Sequence, residues 1–315
     1  MMHTKVILLV VGLLALIHSS PGQATDAEKP PIRADMLARQ LVQTIQRNEP
    51  PQWRQLIGRD DVLPELRRIG GSLTVQQTRQ LLGTVISIGM QEKQRRWVFS
   101  DAVAAYLIDA TATADNGEIR EYAAELLVRY VPSGYIAPHA APLIKAAQDG
   151  KLANALLLGK SGAPEAKQFL QKRGKIWSIN EDEAQSAIAK LGDADASQII
   201  VNSYHQERDV RKKAILARKL GYICDKACIL ALARDMRAPD TYDAGGAKKS
   251  LRIDIIAALS EAYPGERVFW FRDVQKSQEI DQWYDDVEKW LETHLQITWN
   301  TPRPKPFSVM PIPLQ

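Results

Sequence analysis

The 315-residue chain has little of what most sequence-legible chemistry needs: two cysteines and five histidines. Two cysteines, Cys224 and Cys228, cannot staple a disulfide-built mini-scaffold. Beyond residue 24 the histidines are His139, His205 and His294, each in a different helical segment. No Gly-x-Ser-x-Gly, His-Glu-x-x-His or dinucleotide-binding fingerprint is present. The expectation is therefore no cofactor, no metal and no enzyme chemistry of a familiar type. Asn-x-Ser/Thr sites are also missing. After the first 24 residues no apolar run approaches the ~18 residues of a membrane-spanning helix.

The one long apolar run lies at the start. Lys5 precedes Val6 to Ile17, and a polar stretch then ends in Gly22-Gln23-Ala24. A basic start, a short apolar run and small residues at the scissile positions form the pattern of a secretory signal. Cleavage is expected after Ala24, with a retained anchor as the alternative. The run is shorter than the ~20 residues that a comfortable span takes. Few cysteines and no glycosylation sites fit a periplasmic or secreted protein of bacterial type.

Charge is segregated. Residues 25–149 carry 15 basic and 15 acidic side chains, residues 150–253 carry 19 and 12, and residues 254–300 carry 4 and 10. A formal net charge of +4 thus hides a basic middle beside an acidic end.

Apolar residues recur at helical spacing, as in Leu81, Leu82, Val85, Ile86 and Met90, and in Ala123, Leu126, Leu127, Tyr130 and Val131. Alternating strand-like runs are nearly missing. The chain also repeats itself. Gly162 to Leu170 aligns with Gly192 to Ile200 at an offset of 30 residues. A third unit, Leu220 to Ala227, follows at 29 to 30 residues, with one residue inserted in its turn. Each unit reads as a helix ending at Leu-Gly, a short turn, and an acidic residue opening the next helix. Glycine accepts the left-handed closing conformation, and the acid accepts the first free N–H groups. Such pairs bury their apolar faces only by stacking on neighbours.

Asp209-Val210-Arg211-Lys212-Lys213-Ala214 through Leu220-Gly221, with Ile223, Asp225, Ala227, Leu230 and Asp235, resembles a short HEAT-like repeat of the phycobiliprotein-lyase type. Glu118-Ile119-Arg120 with Ala123 and Leu126 resembles the opening of another. The likeness is strongest over 207–236. It implies an all-α fold, a right-handed α-solenoid of stacked antiparallel helix pairs of the HEAT-like or armadillo type. It also implies that Asp209 and Arg211 cap and cross-link helices. The expected layout is a leader (1–24), a helical N-terminal cap (25–95), a repeat array (96–264), a helical C-terminal cap (265–300) and a proline-rich tail (301–315). In the C-terminal cap, Ile280, Trp283, Val287, Trp290, Leu291 and His294 form the covering stripe. Asp281, Asp285, Asp286, Glu288 and Glu292 form the outer face.

Three features stand out as candidate sites. Cys224 and Cys228, four residues apart, read either as a disulfide pinning a turn or as two buried thiols. The 237–247 segment breaks the period, and Asp240, Tyr242 and Asp243 read either as partner contacts or as part of a solvated connector. Its Gly245-Gly246 run lacks the Walker pattern and a preceding strand, so no phosphate loop is expected. Arg208, Lys212 and Lys219, with Lys248, Lys249 and Arg252, read as a basic stripe or as an ordinary solvated face. The functional expectation is an interaction scaffold for another protein with an acidic contact surface, not for nucleic acid. One version is an immunity or inhibitor protein. An envelope assembly factor and a lyase-like enzyme in a solenoid cleft are the alternatives.

Overall fold

A computed structural model describes residues 32–50, 55–89, 91–93, 96–173, 181–245, 247–269, 277–299 and 302. The expected leader and, but for Pro302, the tail lie outside the described residues, as do Trp270 and Phe271. Helices dominate, and two short hairpins are the whole of the sheet structure among the described residues. No helix among them is long and apolar enough to cross a membrane.

The first helices are α1 (Ala34–Gln46), α2 (Leu63–Ile69) and α3 (Val75–Gly89), followed by the hairpin β1 (Gln91–Lys93) and β2 (Arg96–Val98). Then come α4 (Asp101–Thr113), α5 (Gly117–Tyr130), α6 (Ser133–Ile136), α7 (Ala140–Gln148), α8 (Ala155–Lys160) and α9 (Pro164–Arg173). The later elements are α10 (Glu181–Lys190), α11 (Ala194–Gln206), α12 (Val210–Ile223), α13 (Lys226–Arg234), β3 (Thr241–Ala244), β4 (Ala247–Ser250), α14 (Leu251–Ala262) and α15 (Ser277–Leu295).

Alternate helices pack on one another. The series α3, α5, α8, α10, α12 and α14 forms one row, each member touching the next. Helices α4, α7 and α9 line a second row behind it, and α11 packs on α13 in the same way further along. This follows from the sequence pattern. Small residues allow close approach where α8 meets α10, at Gly159 and Ala187, and where α12 meets α14, at Gly221 and Ala258.

Caps set the helix starts. Asn116, Asn154, Asp193, Asp209, Asp225 and Ser250 each accept backbone N–H bonds from the first turn they precede. Such caps contribute ~1 kcal/mol each. Arg120 has the cross-linking geometry, donating to the Ala114 (2.6 Å), Asp115 (2.9 Å) and Lys151 (3.1 Å) carbonyls.

The third repeat differs from its expected form. Gly162 and Gly192 close their turns at positive φ, +66° and +85°. Gly221 does not. It lies inside α12, and Cys224 takes the left-handed closing position at φ 61°. The glycine serves close approach instead: a Cβ there would sit 2.5 Å from the Ala258 carbonyl oxygen and 2.6 Å from its Cα. Helices α12 and α14 therefore meet backbone to backbone.

The buried side chains form two clusters. One runs from Leu37 to Ala187 and the other from Ala189 to Ile297, with Ile188 packed against both. The first joins the expected N-terminal cap to the early helix pairs. The second joins the later pairs to α15, whose Ile280, Trp283, Tyr284, Val287 and Leu291 are buried.

Candidate functional site

Two of the sequence-predicted features, the basic helix and the period-breaking segment, meet at one buried carboxylate. The segment is not an irregular loop. Residues 241–250 form an antiparallel hairpin that pairs Thr241 with Ser250, Tyr242 with Lys249, and Asp243 with Lys248. Gly245, at φ 69°, opens the turn, while its neighbour Gly246 lies outside the described residues. The sequence reading placed no strand before Gly245, and β3 corrects it, although a Gly-Gly pair between two short strands is a two-residue hairpin signal. Oppositely charged and aromatic–cationic pairs across the strands favour this register.

The hairpin lays Tyr242 and Lys249 over the first turn of α14, where Asp254 is 1% exposed. The Tyr242 hydroxyl donates to Asp254 Oδ2 at 2.7 Å. Lys249 Nζ and Arg218 Nη2 donate to Oδ1 at 2.7 and 2.8 Å. A buried carboxylate without partners is strongly unfavourable, and three donors, two of them cationic, compensate it. Burial works against the charge of Asp254, but the bonds from Lys249, Tyr242 and Arg218 outweigh it and hold the carboxyl below its ordinary range. Burial, then the bond to Asp254, pushes the Tyr242 hydroxyl up to about 12. Tyr242 thus stays a donor at neutral pH.

Around this centre the exposed face of α12 carries Arg211, Lys212, Ile215 and Arg218. Arg208 is exposed just before the helix, and Lys248 on the hairpin. Asp209 anchors the helix start by accepting the Arg211 (2.9 Å) and Lys212 (3.0 Å) N–H groups. A short acidic side chain at this position is a favourable N-cap. Arg211 points outward.

Other candidate contacts, of the stripe and of the period-breaking segment, are engaged elsewhere. Lys219 Nζ sits 3.1 Å from Asp182 Oδ2. The Asp240 carbonyl oxygen accepts the Leu251 N–H at 3.0 Å, so Asp240 supports the hairpin base. Arg252 is the clear correction: it is 7% exposed rather than part of a solvated stripe. Its Nη2 donates to Glu288 Oε1 at 2.8 Å, and its guanidinium lies 3.8 Å over the Tyr284 ring. Glu288, expected on the outer face, is fully buried, and its other oxygen accepts from Arg237 Nε at 2.9 Å. Arg237 in turn lies 4.4 Å from the Trp299 ring centre. This second cluster fastens α15 to the base of the hairpin. Sequence reasoning missed both buried acids, because a carboxylate on an amphipathic helix is assigned to water by default.

The two cysteines are free thiols. Cys224 Sγ turns to the Gly221 carbonyl, whereas Cys228 Sγ lies 3.4 Å from Ser197 Oγ on α11. They face different partners and are unbridged in this structure, with Cys228 buried and Cys224 half-buried. Burial raises both, Cys228 to about 12, which leaves them protonated and poorly nucleophilic at neutral pH. Among the described residues no group of three or more His, Cys, Asp or Glu is arranged to hold a metal ion. An open groove of ≈ 610 Å³ lies far along the chain between α1 and α2. Its walls are polar and internally paired, with Arg33 on Asp35 and Arg68 on Glu65.

The described residues thus form a mostly helical fold with a basic ledge pinned by one buried carboxylate. No family model, curated protein or solved structure matches the chain.

Proposed function

We propose that the chain is an exported, right-handed α-solenoid of HEAT-like helix pairs that works by binding another protein, one acidic at its contact surface. The alternate-row packing of the helices supports the solenoid reading, and the leader-like first 24 residues support export. The observation that carries the binding reading is Asp254. A fully desolvated carboxylate holds Arg218, Lys249 and Tyr242 in place at the surface. Preorganised cations lose little freedom on meeting a partner, which favours recognition. An immunity or inhibitor protein acting on an exported enzyme fits this description best.

The test is affinity capture. The tagged full chain is expressed in a bacterial host that exports it, and the periplasmic fraction is recovered at physiological salt. The expected result is a mature chain beginning at Thr25 with one stoichiometric partner. A chain retained in the cytoplasm would overturn the export reading. A mature chain that captures nothing would overturn the binding reading.

A further inference from the structure

We propose that Arg211, Ile215 and Arg218 form a docking strip for an acidic helical segment of a partner protein, with Ile215 as its apolar anchor. This rests on the protein-binding reading above. It replaces the basic stripe expected from sequence with a narrower surface.

Four large hydrophobic side chains are exposed among the described residues: Ile32, Met36, Ile199 and Ile215. Ile215 is half exposed, at 50%, in a stretch of α12, 211–219, that holds five cations and no acid. At 100° per residue, positions 211, 215 and 218 fall within about 60° of arc, on a line about 10.5 Å long. An apolar side chain between two arginines is the composition of an interface hot spot: an anchor ringed by groups that pair with the partner and exclude water.

The strip is rigid. Gly221 brings α12 onto the Ala258 backbone of α14, and Ala214 and Ala217 are buried along the same flank of the helix. Asp209 caps the helix start, and Asp254 holds the Arg218 guanidinium, although its side chain remains 61% exposed. Lys248 and Lys249 extend the positive field to one side.

Charge and shape select the occupant. Residues 150–253 carry seven more basic than acidic side chains, so the partner is acidic. A polyphosphate or nucleic-acid backbone offers nothing to cover Ile215. A lipid surface needs a broad apolar face rather than one residue. A helix with carboxylates at i and i+7 and a leucine at i+4 matches the spacing, lying along α12 at the usual 8–10 Å between axes.

The probe is a fluorescein-labelled, alanine-based helical peptide with Glu at i and i+7 and Leu at i+4. A Leu→Ser version, a version with Lys for Glu, duplex DNA and phosphatidylglycerol vesicles serve as comparisons. Anisotropy against the full mature chain is expected to show the Leu–Glu peptide binding at least about tenfold tighter than the Leu→Ser or Lys versions. Arg211→Glu and Ile215→Ala, both at exposed positions, should each weaken it about tenfold, with unchanged thermal unfolding. Equal binding of the Leu and Ser peptides, or indifference to both substitutions, overturns the strip. So does DNA or vesicle binding tighter than that of the peptide. A natural partner captured equally well by wild type, Arg211→Glu and Ile215→Ala overturns the strip and leaves the protein-binding reading standing. If the wild type captures none, that reading falls.

Discussion

The two hydrophobic clusters solve the same packing problem with different materials. In the first, from Leu37 to Ala187, the buried set among the described residues is almost wholly aliphatic and alanine, with Tyr106 its one buried aromatic. Lys160 is the one buried charge among the described residues of that half, and it donates to the Val128 (2.5 Å) and Val131 (3.1 Å) carbonyls. In the second, Trp283, Tyr284, Tyr204 and Phe269 are buried together with Arg252, Asp254 and Glu288. Aliphatic packing is tolerant and specifies position only loosely. Buried ion pairs are directional, and they fail badly when half is removed. The second half thus holds the α12 ledge, the hairpin and α15 in one fixed relation, at the cost of greater sensitivity to substitution.

The sharpest way to break this contrast is Glu288→Ala. It leaves Arg252 buried without its counter-charge and takes away an Arg237 acceptor. A loss of about 3–5 kcal/mol is expected from urea unfolding followed by tryptophan fluorescence. Lys160→Met in the first half should cost less, about 1–2 kcal/mol. It removes a desolvated charge together with its two carbonyl bonds, and Met fills the same space. Burial already lowers the Lys160 pKa, so its charge is weakly favoured there. Equal losses for the two variants would erase the distinction between the halves.

Gly221→Ala comes next. The added Cβ would overlap the Ala258 backbone, which has no flexible end to give way. Helix α12 must move off α14, with a cost of about 1–3 kcal/mol. Gly192→Ala is a useful control: nothing lies near its Cβ position, and its φ of +85° is the only obstacle. Its cost, about 1 kcal/mol, is conformational strain rather than overlap.

These glycines also show how far the sequence could be read. The helical character, the cap residues and the 30-residue period were all legible, because helical spacing and N-cap chemistry are local. Gly221 was aligned with the turn glycines but lies inside α12 and serves close approach of two helices, which is a non-local fact. The hairpin at 241–250 was masked by its brevity and by charged residues, although its Gly-Gly turn was in plain view. Asp254 and Glu288 were out of reach for a different reason. Their burial depends on Arg218, Lys249, Arg237 and Arg252 arriving from other elements, and no pattern along the chain announces that. The candidate site was therefore half legible: its cations were on the page, but not the acid that organises them or the isoleucine between them.

Acid unfolding sharpens the comparison further. The Asp254 carboxyl is held below its ordinary value in the folded chain. A depressed folded-state pKa contributes stability that is complete above the unfolded value, about 3.9, and is lost as pH falls through the folded value. Asp254→Asn keeps the shape and a weaker acceptor. It should lower stability at pH 7 by about 1–2 kcal/mol, while making the decline below pH 4 shallower than in wild type. Circular dichroism melts at pH 7, 4 and 3 would read both effects. A wild-type slope retained in the variant would mean that other carboxylates govern the acid limb.

The smallest expected effect on stability belongs to the exposed face of α12, and it is informative because it is small. Lys212→Glu and Ile215→Ala remove side chains that lie outside both cores, so each should change folding stability by no more than about 0.5 kcal/mol. Lys212→Glu even gains something, since a carboxylate in the first turn of α12 meets the positive end of the helix dipole. If Ile215→Ala instead cost as much as Gly221→Ala, the isoleucine would be part of the packing between neighbouring elements. Its exposure could then not be assigned to partner binding. Thermal unfolding of the two variants beside Gly221→Ala therefore separates the framework that fixes the ledge from the surface it presents.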